Sequence, residues 1–255
     1  MLHELRTLYR PTTLHEALLR LREEGAYPVF GSGAYILRLP IEAQREVTTI
    51  VDLADLAPAH CRLNNKRLEL GSAATLATLS EVNDDLRTIL RAEAPLTLCN
   101  TLTLGDVLME ARPDSLLMGA LYGLGALLVA EESGTEDVIT LAEWCKLSLA
   151  HRRKRVLLGA VIENYNERWR FAFEKVSRTP SDGPIVAAIG FAYQGEPNPG
   201  EYAVIVGAAE HPMRYHPELQ ATYHDYKGSR AYRTEMAHVL SQRALAKATA
   251  LAEIA

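Results

Sequence analysis

The chain has 255 residues, of which 48% are hydrophobic, so it can bury a substantial core in one to three compact units. Its net charge of −5 is spread along the sequence, which argues against nucleic acid as a main partner because such binding needs a concentrated basic face. No stretch has the apolar length needed to cross a bilayer, and the N-terminus lacks the apolar core of a signal peptide. We therefore expect a cytoplasmic protein that has no membrane partner.

The cysteine and histidine positions argue against a metal site. Cys61, Cys99 and Cys145 occur singly and cannot supply the thiolates of an iron–sulfur cluster or a closed zinc site. Their scatter also argues against a secreted disulfide scaffold. The histidines lack metal-binding spacing, and no serine or threonine has a paired His/Asp arrangement, so we expect neither a metal ligand nor a catalytic residue.

The first part of the chain predicts a β-α-β opening. Thr13 and Glu16 have the spacing of a capping box that begins a helix. An extended segment, 28–30, leads into the turn Gly31-Ser32-Gly33-Ala34, and 49–53 has the composition of a buried strand.

The middle of the chain predicts further helices and strands around a second glycine-containing turn. A hairpin, a helix that Ser80 caps, a second helix and two strands are expected at 62–70, 80–90, 114–122, 126–130 and 155–163. The turn Thr103-Leu104-Gly105-Asp106 lies about seventy residues after the first one. Two such turns can place main-chain N–H groups around one diphosphate, because glycine lets the backbone approach an anion closely.

The last part predicts an antiparallel arrangement followed by a long helix. Strands are expected at 170–176, 184–193 and 202–208, a turn at 195–200, and a helix at 231–254. Ahead of this region, the basic run Arg152-Arg153-Lys154-Arg155 is interpreted as a solvated turn that leads into a strand. The alternative for this run is docking to an acidic partner.

Several motifs in order resemble one known family. The segments that carry the resemblance are Tyr9-Arg10-Pro11, 30–37, 50–53, 70–76, 100–125, 175–178 and 225–233. They are similar to those of the FAD-binding, medium subunits of molybdenum hydroxylases, such as carbon monoxide dehydrogenase and bacterial xanthine dehydrogenase. The resemblance covers nearly the whole chain.

The resemblance implies an α+β fold with two α/β FAD-binding subdomains of the PCMH type, at about 1–55 and 56–165. A C-terminal antiparallel sheet with helices, similar to the C-terminal domain of carbon monoxide dehydrogenase flavoproteins, would follow at 166–255. The flavin would lie between the 31–36 turn and the 103–107 turn. The cofactor-binding residues that the resemblance implies are Phe30, Gly31, Ser32, Gly33, Ala34, Tyr35, Ile36, Thr103, Gly105, Asp106, Val107, Ser115, Leu158 and Lys175.

The implied role is that of an oxidoreductase subunit with no complete active site of its own. FAD on this chain would pass electrons from a small subunit with [2Fe–2S] clusters to an external acceptor. A large subunit would carry the molybdopterin, so both of these cofactors are expected only on partner subunits.

The chain departs from the family pattern where the family contacts flavin. Ala34-Tyr35 replaces a Thr-Asp pair, Asp106 stands at a glycine position, and Val107 and Leu116 replace polar residues. Losing about three hydrogen bonds and facing the diphosphate with an aspartate would cost roughly 3–6 kcal/mol, or about 10²–10⁴ in affinity.

These departures leave two alternatives open. One is a structural or docking subunit that keeps the fold and has lost FAD, with a side chain such as Tyr35 or Leu116 filling the cleft. The other is a stand-alone flavin oxidase of the wider superfamily, although such chains generally have a larger substrate domain.

Overall fold

The structure is a computed structural model that describes residues 2–179, 182–195 and 200–254. In chain order its strands are β1 (Thr7–Tyr9), β2 (Ala26–Val29), β3 (Thr49–Asp52), β4 (Cys61–Asn64), β5 (Arg67–Gly71), β6 (Leu127–Glu132), β7 (Thr135–Thr140), β8 (Val156–Ile162), β9 (Trp169–Val176), β10 (Val186–Tyr193), β11 (Tyr202–Val206) and β12 (Met213–Arg214). Its helices are α1 (Leu14–Leu21), α2 (Ala34–Leu37), α3 (Ile41–Arg45), α4 (Leu76–Leu79), α5 (Asp84–Glu93), α6 (Leu96–Cys99), α7 (Leu104–Glu110), α8 (Leu116–Gly123), α9 (Leu141–Lys146), α10 (Leu149–Arg152) and α11 (Arg230–Ile254).

The chain divides into two compact units that interleave along the sequence. The first unit comprises Met1–Leu79, Thr97–Glu110 and Leu127–Glu163, and the second comprises Ser80–Leu96, Ala111–Ala126 and Asn164–Ala255. The chain therefore passes from one unit to the other several times. The predicted domain boundary near 165 stays a prediction.

The first unit contains two sheets. The parallel sheet has the order β1-β3-β2, and the antiparallel sheet has the order β4-β5-β8-β6-β7. The β-α-β opening is confirmed: α1 begins after Thr13, whose side chain accepts the Glu16 N–H as predicted. The hairpin of β4 and β5 turns at Asn65 and Lys66, which both adopt positive φ values.

The second unit is one antiparallel sheet, in the order β12-β11-β10-β9, with helices. The long helix α11 crosses β10 closely, because a Cβ at Gly190 would lie 2.4 Å from the backbone of Ala244. Glycine is required here for the two backbones to approach. The apolar core between them includes Val186, Ile205 and Leu240.

Some predicted elements differ from those observed. The helix expected at Ser80 begins at Asp84, because Asn83 accepts the Leu86 N–H and caps it instead. Strand β7 was missed, since it is an edge strand whose side chains are mostly exposed. The strands expected at 170–176, 184–193 and 202–208 are confirmed as β9, β10 and β11. The turn expected at 195–200 includes 196–199, which lie outside the described residues.

The basic run is part of the first unit and is less solvated than predicted. Arg152 is buried, Arg153 donates to the Ala26 carbonyl at 2.9 Å, and Arg155 contacts Asp137 at 3.0 Å. Burial lowers the pKa of Arg152. As predicted, a turn at 153–154 leads into β8, and Lys154 is exposed. Arg152 is buried and Arg153 and Arg155 are half-buried, so the run is less solvated than expected. None of the described helices is both long enough and apolar enough to span a membrane.

Candidate functional site

The two glycine-containing turns lie against each other within the first unit. The first turn follows β2, and Gly33, at φ 63°, is the N-cap of α2. A Cβ on Gly31 would lie 2.7 Å from Cγ2 of Thr103, and a Cβ on Gly105 would lie 2.5 Å from the Phe30 ring. Both glycines are therefore needed for the turns to approach this closely.

The second turn is fixed to the end of β5 by main-chain hydrogen bonds. Gly105 N–H donates to the Ser72 carbonyl at 2.7 Å, and Leu104 N–H donates to the Ala74 carbonyl at 2.9 Å. Ser72 is itself buried, and its hydroxyl donates to the Leu157 carbonyl at 2.7 Å. Two N–H groups of this turn are thus engaged within the protein.

The carboxylate of Asp106 lies where donors from both turns meet. Its Oδ2 atom accepts from the Ser32 hydroxyl at 2.9 Å, from Thr103 N–H at 3.1 Å and from the Thr103 hydroxyl at 3.0 Å. The Asp106 N–H donates in return to the Thr103 hydroxyl at 3.2 Å. Thr103 and Asp106 therefore form a capping box at the start of α7.

The other carboxylate oxygen of Asp106 is buried without a partner. Asp106 is 1% exposed, and within the described part of the chain its Oδ1 atom has no hydrogen bond. Burial raises the pKa of this carboxyl, although hydrogen bonds from Thr103 and Ser32 oppose the change. The donors between the turns thus hold a carboxyl group that the chain itself supplies.

Tyr35 points into the first unit from α2. It is 1% exposed, and its hydroxyl donates to the Pro28 carbonyl of β2 at 2.6 Å. Burial, with a smaller contribution from the charge of Asp106, raises the pKa of Tyr35 well above its ordinary value. Its side chain therefore anchors the first turn to the parallel sheet.

The remaining predicted site residues fall into three groups. Phe30, Ile36 and Val107 are buried in the first unit, and Ala34 is half-buried there. Leu158, also half-buried, belongs to β8, where its carbonyl accepts the Ser72 N–H. The third group, Ser115 and Lys175, belongs to the second unit.

In the second unit, Ser115 begins α8 beside a buried glutamate. The Ser115 hydroxyl accepts the Met118 N–H at 3.2 Å, and Glu93 accepts the N–H groups of Leu116 and Leu117 at 2.6 and 3.2 Å. Lys175, on β9, donates to the Asp182 carbonyl at 3.0 Å.

Sequence reasoning missed the internal roles of Asp106 and Glu93. The spacing Thr-x-x-Asp at 103–106 was a readable signal for a capping box, but the glycine between them favoured the interpretation as an anion-binding turn. Glu93 carried no such signal, because it caps a helix that begins 23 residues later.

The described residues contain no group of three or more His, Cys, Asp or Glu side chains that could hold a metal ion. The fold and the adjoining turns define an α+β protein in which a cluster of donors holds the carboxyl group of Asp106. A family model described as the FAD-binding domain in molybdopterin dehydrogenase matches residues 3–162. The chain belongs to this family. No curated protein matches the sequence.

Solved structures share the fold over nearly their whole length. Quinoline 2-oxidoreductase from Pseudomonas putida 86 has a TM-score of 0.81 at 18% identity, covering 96% of this chain and 97% of that chain. Carbon monoxide dehydrogenase from Hydrogenophaga pseudoflava, which lacks the Mo-pyranopterin moiety, has a TM-score of 0.81 at 15% identity, covering 96% and 98%. Reconstituted CO dehydrogenase from Oligotropha carboxidovorans has a TM-score of 0.78 at 19% identity, covering 96% and 97%. The α+β fold expected from the sequence is confirmed.

Proposed function

We propose that this chain is the medium-type subunit of a molybdenum hydroxylase complex and that it holds FAD. Membership of the FAD-binding family supports the cofactor, and the shared fold with carbon monoxide dehydrogenase and quinoline 2-oxidoreductase chains supports the type of complex. The observation that carries the proposal is the approach of the two turns, with a Cβ on Gly31 only 2.7 Å from Thr103.

The residues between the turns fit an anionic group such as a diphosphate. The Asp106 carboxylate is a stand-in for such an anion, since it is held by two hydroxyls and a main-chain N–H. Ser32, Thr103 and the backbone of the Gly31–Gly33 turn would hold the diphosphate of FAD. When bound, FAD supplies the redox chemistry; the protein binds and orients it.

In this role the chain is one component of an oxidoreductase. A partner subunit with [2Fe–2S] clusters delivers electrons, an external acceptor receives them, and a large subunit holds the molybdopterin. The chain works in the cytoplasm.

An absorption spectrum tests the cofactor directly. The purified chain is measured before and after incubation with excess FAD and gel filtration. Flavin bands that remain with the protein are the expected result. A folded protein that stays colourless at saturating FAD contradicts the FAD part of the proposal.

One observation favours a second candidate function, a flavin-free docking subunit of the same complex. The donors between the turns already hold Asp106, and Gly105 and Leu104 donate to carbonyls of the protein. Purification from the native host discriminates the two. A complex that contains this chain, molybdenum and iron but no flavin supports the docking role, whereas stoichiometric flavin supports the first proposal.

A further inference from the structure

The Asp106 carboxylate joins the two turns. Its Oδ2 atom accepts from Ser32 of the first turn at 2.9 Å and from Thr103 of the second turn at 3.1 and 3.0 Å. The Oδ1 atom is buried with no hydrogen bond in the described part of the chain. A capping box requires only the contacts with Thr103, so the contact with Ser32 and the buried Oδ1 atom are additional features.

We propose that the Asp106 carboxylate competes with the diphosphate of FAD for these donors, so that residue 106 sets the affinity of the chain for the cofactor. This inference rests on the proposed FAD function. The hydroxyls of Ser32 and Thr103 and the Thr103 N–H cannot serve a carboxylate and a phosphate at the same time. A buried carboxylate also repels a nearby phosphate, because the interior screens charges weakly.

Two substitutions separate charge from hydrogen bonding at this position. Asp106→Asn keeps an oxygen that can accept from Thr103 and removes the negative charge. Asp106→Gly removes the competing group altogether but also removes half of the capping box. The matched controls are Asp55→Asn and Asp55→Gly, since Asp55 lies in an exposed turn of the same unit.

The experiment is an equilibrium titration of the purified chain and its variants with FAD, in which flavin fluorescence measures the amount bound. ADP, which has a diphosphate, and riboflavin, which has none, are titrated in parallel by calorimetry. We expect FAD to bind about 10-fold more tightly to Asp106→Asn and about 100-fold more tightly to Asp106→Gly. The reason is that the donors that now hold Asp106 can then make charge-assisted hydrogen bonds to the diphosphate. The affinity for ADP should rise in the same order, from wild type to Asp106→Asn to Asp106→Gly, and the affinity for riboflavin should not change. The Asp55 variants should bind all three ligands as the wild type does.

Each contrary result has a distinct meaning. If the wild type binds FAD as tightly as both Asp106 variants, the inference is wrong and the FAD function stands. If the affinity for riboflavin rises as much as the affinity for FAD, the effect does not come from the diphosphate and the inference is wrong. If neither the wild type nor either variant binds FAD, both the inference and the FAD function fail. Thermal unfolding shows whether each variant is folded, and Asp106→Asn decides if Asp106→Gly is not.

Discussion

Burial of a carboxyl group makes the stability of a protein depend on pH, and Asp106 is such a group here. Burial raises its pKa, while hydrogen bonds from Thr103 and Ser32 oppose the rise. The folded state therefore binds this proton more tightly than the unfolded chain does. The stabilising effect of the proton is fully present below the unfolded pKa of about 3.9 and is lost as the pH rises through the raised pKa.

We expect this loss to disappear in Asp106→Asn. The free energy of unfolding is measured in urea from about pH 4 to pH 8 for the wild type and the variant. The wild-type value, relative to that of Asp106→Asn, should fall as the pH rises and then level off above the raised pKa. Asp55→Asn, which changes an exposed carboxylate, should follow the wild type. A relative stability that is flat or rises with pH would show that burial does not raise the pKa of the Asp106 carboxyl.

At the scale of the element, α8 begins at a buried glutamate from α5. The Glu93 side chain is 6% exposed, accepts the Leu116 and Leu117 N–H groups and lies 3.5 Å from Arg112. Its carboxylate therefore satisfies two N–H groups that the helix itself cannot pair. A negative charge at this end also interacts favourably with the helix dipole.

Replacing Glu93 by alanine should cost about 2–4 kcal/mol, because two N–H groups lose their acceptor. Glu93→Gln keeps one oxygen acceptor and should cost about 1 kcal/mol. Chemical denaturation of the two variants measures the difference. Equal losses for alanine and glutamine would mean that the charge of Glu93, rather than its hydrogen bonds to Leu116 and Leu117, provides the stabilisation.

Local signals predicted elements well, and contacts distant in sequence could not be predicted. The Thr13 cap and the β4–β5 turn were readable because each depends on neighbouring residues. The predicted cap of α5 was Ser80, whereas Asn83 caps the helix in the structure. The pairing of β5 with β8, far apart in the chain, has no local signal.

The same reasoning applies to the candidate site. The sequence predicted both turns and marked Asp106 as a departure from the family pattern. That the two turns adjoin, and that Ser32 donates to Asp106, depends on the tertiary fold. A single sequence therefore predicted an anion-binding pair of turns, which stays a prediction, but not that Asp106 accepts hydrogen bonds from both turns.

At the scale of the whole molecule, the second unit is assembled from separate parts of the chain. Helices α5 and α8 come from segments 80–96 and 111–126, and the sheet comes from residues after 164. A Cβ on Gly123 would lie 2.1 Å from the Phe191 ring, and the Tyr202 hydroxyl donates to the Gly123 carbonyl at 2.6 Å. Asp85 of α5 accepts from Arg170 at 2.8 and 2.9 Å. Through these contacts α5 and α8, which both precede residue 164 in the chain, pack on the sheet.

The fragment 166–255 should therefore not fold by itself, although it matches the predicted C-terminal domain. Without α5 and α8, part of its apolar sheet face and the Arg170 side chain lose their partners, and burial of this surface is a main source of stability. Its single tryptophan, Trp169, reports the outcome because Trp144 is absent from the fragment. We expect no cooperative change in its fluorescence with urea, in contrast to the full chain. A sharp transition with native-like near-ultraviolet circular dichroism would show instead that 166–255 is an independent domain and that α5 and α8 only add to it.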